Sequence, residues 1–139
     1  MPQLLISEVA RRAGVRASAI RYYEQIGILT PAQRIGNQRC YDTTVLERLA
    51  VIRWARETGF TLDEVRQLFF GFGRAMPASE RWKKLSRKKI AELDAMVKHI
   101  QTMQRLLRAL EKNCHCSALE QCGKGFLRSA EGGTKVRCL

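Results

Sequence analysis

The chain has 139 residues, enough for one or at most two small domains with a modest core, and 25 Lys and Arg against 13 Asp and Glu leave it a formal net charge of +12. A polyanion is the expected partner, because each cation that neutralises a phosphate releases a counterion; an anionic membrane surface is the rival. A membrane-spanning protein is excluded by the lack of any apolar run approaching about 20 residues, a cytoplasmic location is expected from an N-terminus without a leader pattern, and an enzyme has little support with no Gly-rich phosphate loop, no Ser/His/Asp set and only two histidines.

Ser7 is a plausible N-cap for a first helix running to about Ala13, and Gly14 permits a tight turn into a second. Ala17, Ile20, Tyr23 and Ile26 recur at intervals of three, giving that second helix one buried stripe, while Arg16, Ser18, Arg21 and Tyr22 occupy its other faces. Gly27 ends it. Ile28-Leu29 and Gln38 to Tyr41 read as two short strands around a loop of Pro31, Gly36 and Asn37, and the order helix, turn, helix, strand, strand outlines a winged helix-turn-helix.

Asp42 suits the cap of a third helix, with Val45, Leu46, Leu49, Ile52 and Trp54 as its apolar contacts and Gly59 as its stop. Thr61-Leu62-Asp63-Glu64 has capping-box spacing, and Leu62, Val65, Leu68 and Phe69 form the stripe of a fourth helix. Gly71-Phe72-Gly73 and Met76-Pro77 then break the pattern. From Ser79 the chain changes character: Trp82, Lys89, Met96, Met103 and Leu110 are spaced by sevens, as are Ser86, Leu93, Ile100 and Leu107. This is a coiled-coil seam of about 33 residues, roughly 50 Å long, and it predicts a homodimer because the preceding segment is too small to cover the far end.

Five cysteines stand at 40, 114, 116, 122 and 138, three of them within nine positions, a cluster that points to a metal or redox site rather than a disulfide framework. Ser117 to Glu120 again has capping-box spacing, which predicts a short helix with Cys114 and Cys116 at its positive end, where a thiol pKa is lowered. Cys114, Cys116 and Cys122 are the candidate ligands, with His115 and Cys138 as possible additional ones; Cys40 is expected to be structural. A thiolate-bound Zn or Cu-like ion and a metal-free thiol switch both remain open.

In this order the elements resemble those of the MerR family of bacterial transcriptional regulators, from Leu5 to about Phe126. The residues that carry the resemblance are Ile20-Arg21-Tyr22-Tyr23-Glu24, Gly27-Ile28-Leu29 and Asn37-Gln38-Arg39-Cys40-Tyr41. Gly36 to Arg39, Trp82 to Ser86 and Glu92-Leu93-Asp94 are most similar to the SoxR branch. That branch has cysteines as C-x2-C-x-C-x5-C around a [2Fe–2S] cluster, and here the first position holds Glu111. The divalent-metal sensors of the family place a cysteine where Ser79 stands here.

The fold this implies is all-α with a small β wing: a winged helix-turn-helix domain at 1–75, a dimerisation helix at 79–112 in an antiparallel coiled coil, a cysteine-bearing sensor loop and short helix at 113–128, and a flexible tail at 129–139. The function it implies is a homodimer that binds and distorts double-stranded promoter DNA for RNA polymerase in response to a metal or redox signal. Helix-turn-helix geometry assigns Arg16, Ala17, Ser18, Arg21 and Tyr22 to the major groove, and Arg34, Asn37, Arg39 and Tyr41 of the wing to the backbone. All eleven basic residues before Ala75 are Arg, a bias that suits multi-donor phosphate contacts. A general basic coiled-coil module that binds nucleic acid is the alternative.

Overall fold

The computed structural model describes residues 3–132 and divides into two units, one ending at Lys89 and one starting at Ile90. The first unit holds β1 (Gln3–Leu5), α1 (Ile6–Ala13), α2 (Ala17–Gln25), β2 (Gln33–Ile35), β3 (Gln38–Asp42), α3 (Thr44–Glu57) and α4 (Leu62–Phe70). A long helix, α5 (Ala78–Asn113), starts within it, and α6 (Leu119–Ala130) belongs to the second unit.

The three strands form an antiparallel sheet in the order β1-β3-β2. Leu4 pairs with Tyr41 and Arg34 with Arg39, so a strand at the very start of the chain extends the wing hairpin. Ile28 and Leu29, expected as a strand, are not one. Gly27 turns the chain at φ 80°, and the Ile28 and Leu29 amides donate back to the Tyr23 carbonyl at 2.9 and 3.1 Å. Their side chains then fall fully into the core beside Val9, Ile20, Leu49, Ile52 and Val65. Burial of both residues, rather than a strand ladder, fixes this segment.

Local signals at the helix ends are honoured unevenly. Gly14 closes α1 in the left-handed region at φ 66°, but the helix begins one residue before Ser7, with Leu5 at the N-cap and no side-chain cap. The Asp42 carboxylate accepts the Thr44 amide at 2.9 Å, a bond that holds its carboxyl below the usual range. The Thr61 capping box is complete, with Thr61 Oγ1 accepting from the Glu64 amide and Glu64 accepting from the Thr61 amide at 3.0 Å. Trp54 leaves the core: it is 55% exposed and meets Trp82 edge-on, ring centroids 5.4 Å apart.

The first turns of α5 belong to the head rather than to an open seam. Leu85 joins the core, Trp82 packs against it, and Lys89 is only 8% exposed, its ammonium 2.8 Å from Glu64 and over the Phe60 ring. Arg81 donates to the carbonyls of Phe69 and Met76 at 3.1 and 3.0 Å, fastening the start of α5 to the end of α4. From Ile90 onward the heptad positions Leu93, Met96, Ile100, Met103 and Leu107 are all exposed. An exposed apolar stripe therefore runs along α5, but it starts later than the sevenfold spacing suggests.

Candidate functional site

Two groups of residues carry the chemistry. On α2, Arg16 stands at the N-cap, and Arg16, Ser18, Arg21 and Tyr22 are exposed while Ile20 is buried, so the helix anchors by one side and presents the other. Ala17 is half-buried. On the wing, Arg34 and Asn37 are exposed around Gly36, whose φ of 65° makes the two-residue turn. The buried and exposed faces of α2 are those its spacing suggests, whereas the wing hairpin is formed by Gln33–Ile35 and Gln38–Asp42 rather than by Ile28-Leu29.

Arg39 and Tyr41 depart from it. Arg39 Nη1 lies 2.8 Å from Glu24 Oε2 of α2, the carboxylate side chain being 10% and the arginine 35% exposed. Tyr41, expected to grip the DNA backbone, is instead a core residue at 3% exposure. Pairing with Leu4 of β1 turns its ring inward, and burial together with the adjacent Glu24 carboxylate pushes its phenol up to about 12. Glu24 escaped the expectation. The signal available was its isolation, since it is the only acidic residue between Gly14 and Tyr41.

The second group is sulfur. Cys114 follows the last residue of α5, Cys116 lies in the connection, and Cys122 sits in the first turns of α6. The helix begins at Leu119, later than Ser117, because the Ser117 amide donates to the Gln121 side chain at 3.0 Å and no Ser117–Glu120 capping box forms. The three Sγ atoms nonetheless lie within 4.8 Å of one another, Cys114 and Cys122 at 3.7 Å. Three thiolates about 2.3 Å from one ion stand about 3.8 Å apart in a tetrahedral site, so these residues fit a mononuclear thiolate centre.

The Cys122 thiol is pushed up to about 11, by its hydrogen bond with Cys116, then desolvation, then Cys114. Sulfurs this close resist shared negative charge until a cation joins them. His115 is exposed and outside the group of sulfurs, as is Glu111, and Cys138 lies outside the described residues.

A helix-turn-helix with a hairpin wing, an arginine-rich face and a long helix leading to a thiol cluster defines a DNA-binding transcriptional regulator. Residues 4–70 match the family described as MerR HTH family regulatory protein, and residues 46–110 match the one described as MerR, DNA binding. The HTH-type transcriptional regulator HmrR of Sinorhizobium medicae is 35% identical over 127 residues, 86% of each chain. The regulator CueR of Salmonella typhimurium is 36% identical over 110 residues, 78% of this chain and 80% of its own. Among solved structures, the transcription regulator PbrR691 of Ralstonia metallidurans in complex with lead(II) superposes with a TM-score of 0.68 at 33% identity, covering 81% of this chain and 88% of that one.

The chain belongs to the MerR family of helix-turn-helix transcriptional regulators. These relatives do not support the finer placement in the SoxR branch. No helix among the described residues is long and apolar enough to cross a membrane.

Proposed function

We propose that the protein is a homodimeric, metal-responsive regulator that binds promoter DNA and changes its shape when a soft, thiophilic cation occupies the centre formed by Cys114, Cys116 and Cys122. The observation that carries this is the convergence of three sulfurs within 4.8 Å at the end of α5. A [2Fe–2S] cluster takes four protein ligands, and the described residues gather three, which favours a single ion. The lead(II) complex of PbrR691 supports the same class of ligand. The exposed stripe from Leu93 to Leu107 supports a partner helix from a second copy.

Arg16, Ser18, Arg21 and Tyr22 of α2 meet base edges and phosphates, and Arg34 and Asn37 of the wing grip the backbone. Distorting a promoter costs on the order of 1 to 6 kcal/mol, and the differential affinity of the metal for two arrangements of the dimer supplies it, so that RNA polymerase engages the reshaped promoter. A second reading, a thiol switch, is favoured by the 3.7 Å between Cys114 and Cys122 sulfurs.

The test is titration of the reduced dimer with Zn(II), Cu(I) and Pb(II), read by thiolate charge-transfer absorption and by footprinting on an operator selected from random duplexes. Stoichiometric metal retention that is lost on combined Cys114→Ser, Cys116→Ser and Cys122→Ser substitution, with an altered footprint, is expected. A footprint that changes only on oxidation overturns the metal assignment in favour of the switch, and absence of any selected operator overturns the regulator itself.

A further inference from the structure

The wing carries a charge arrangement that simple phosphate binding does not explain. Arg34 and Arg39 are direct partners across β2 and β3, so their side chains project from the same face of the hairpin, an arrangement in which like charges repel. Of the two, Arg39 is drawn to α2, where its guanidinium meets the Glu24 carboxylate at 2.8 Å. The other Glu24 oxygen is buried, and Tyr41, two residues along β3 and on the same side as Arg39, faces the same carboxylate.

Glu24 follows Arg21 by three positions, which sets it beside the exposed arginine of the recognition helix. A carboxylate in that place repels a phosphate backbone unless it is neutralised internally. It is the only one in a segment with four arginines, at 16, 21, 34 and 39.

We infer that Glu24 is a positioning residue of the DNA interface: its internal pair with Arg39 locks the wing to the recognition helix, leaving Arg34 as the wing cation that neutralises phosphate. The inference rests on the regulator reading above. Arg39 thus acts as a strut whose charge is already spent on Glu24, and the duplex sees a helix and a wing of fixed separation.

The experiment uses the full-length protein, the operator it selects from random duplexes, and a scrambled duplex of the same length. Glu24→Gln is expected to lower the preference for the selected operator by about tenfold, within the range of one mismatched base pair. The charge-reversed double variant E24R/R39E is expected to restore that preference to within about threefold of the starting protein, since the pair survives with its polarity inverted. Salt dependence gives an independent readout that a fold defect does not imitate. Arg34→Gln lowers the slope of log affinity against log salt by about 0.9 per subunit, while E24R/R39E leaves it unchanged because the pair stays neutral.

If E24R/R39E binds no better than R39E alone, or loses as much slope as Arg34→Gln, then Arg39 itself holds phosphate and the inference is overturned. Should the double variant fail to fold, the isosteric Glu24→Gln decides: undiminished preference with an unchanged near-ultraviolet circular dichroism spectrum overturns it. Failure of the starting protein to select any operator defeats the regulator reading instead, which keeps the two failures apart.

Discussion

Replacing Lys89 with Met removes the cation that holds Glu64 inside the head. The two side chains are 10% and 15% exposed and meet at 2.8 Å, with the ammonium 5.6 Å from the Phe60 ring centroid, so water replaces little of the lost contact. Breaking a buried pair by removing one partner costs about 3 to 5 kcal/mol. Glu64 keeps the Thr61 amide and hydroxyl as donors, both at 3.0 Å, which places the expected loss at the lower end, about 3 kcal/mol at pH 7.

The loss has a pH signature. Desolvation works to raise the Glu64 pKa, but the hydrogen bonds from Lys89 and Thr61 outweigh it and hold the carboxyl below its ordinary 4.5. A depressed carboxylate stabilises the fold above its unfolded pKa, and that contribution is lost as pH falls through the folded value. In Lys89→Met the desolvation is no longer opposed by the ammonium, the carboxyl protonates more readily, and the penalty shrinks as pH falls through the variant's own, higher Glu64 pKa. Urea denaturation at pH 7.5, 5.5 and 4, at one fixed protein concentration so that any self-association contributes equally, measures the starting protein and the variant. A penalty below about 0.5 kcal/mol, or one that is the same at pH 7.5 and pH 4, refutes the reasoning, since only surface pairs are worth so little.

Arg21→Ala is expected to reduce operator affinity about 5- to 160-fold, the cost of one base contact of about 1 to 3 kcal/mol, while the size-exclusion elution volume stays that of the starting protein. Substitution of Cys114, Cys116 and Cys122 together by Ser is expected to leave operator binding in place and to abolish the metal-dependent footprint; an intact response in that variant rules out the sulfur centre as sensor. Thr61→Ala removes the hydroxyl that caps α4 and is expected to cost about 1 kcal/mol in the same urea assay. Tyr41, with its phenol raised to about 12, keeps its proton in the fold after the unfolded chain has lost it, so stability falls as pH rises from 10 to 12; Tyr41→Phe is expected to flatten that limb.

The contrast between two identical local patterns explains how much was readable in advance. Thr61 to Glu64 and Ser117 to Glu120 share capping-box spacing, yet only the first forms, because Lys89 and the packed head hold Glu64 in place while the Gln121 side chain captures the Ser117 amide. The strand Gln3–Leu5 was invisible because its hydrogen-bond partner, β3, lies some 35 residues away, and a three-residue segment carries too little periodicity to declare itself. Sevenfold spacing correctly marked α5 as a long helix with an apolar stripe. It could not tell that Lys89, one of its seam positions, faces Glu64 and Phe60 of the same chain.

Local and periodic information is contained in the order of residues: the arginine-only basic set before Ala75, the glycine turns, the amphipathic second helix, the long amphipathic rod and the three clustered cysteines all follow from spacing and residue chemistry. Tertiary structure decided what depends on contacts between distant segments. Burial turned Tyr41 from a supposed DNA contact into a core residue, pairing with Glu24 gave Arg39 an internal partner, and the return of α6 brought Cys122 to within 3.7 Å of Cys114. Charge and periodicity act over a few residues, whereas the partner of a buried group is chosen by the whole packed fold.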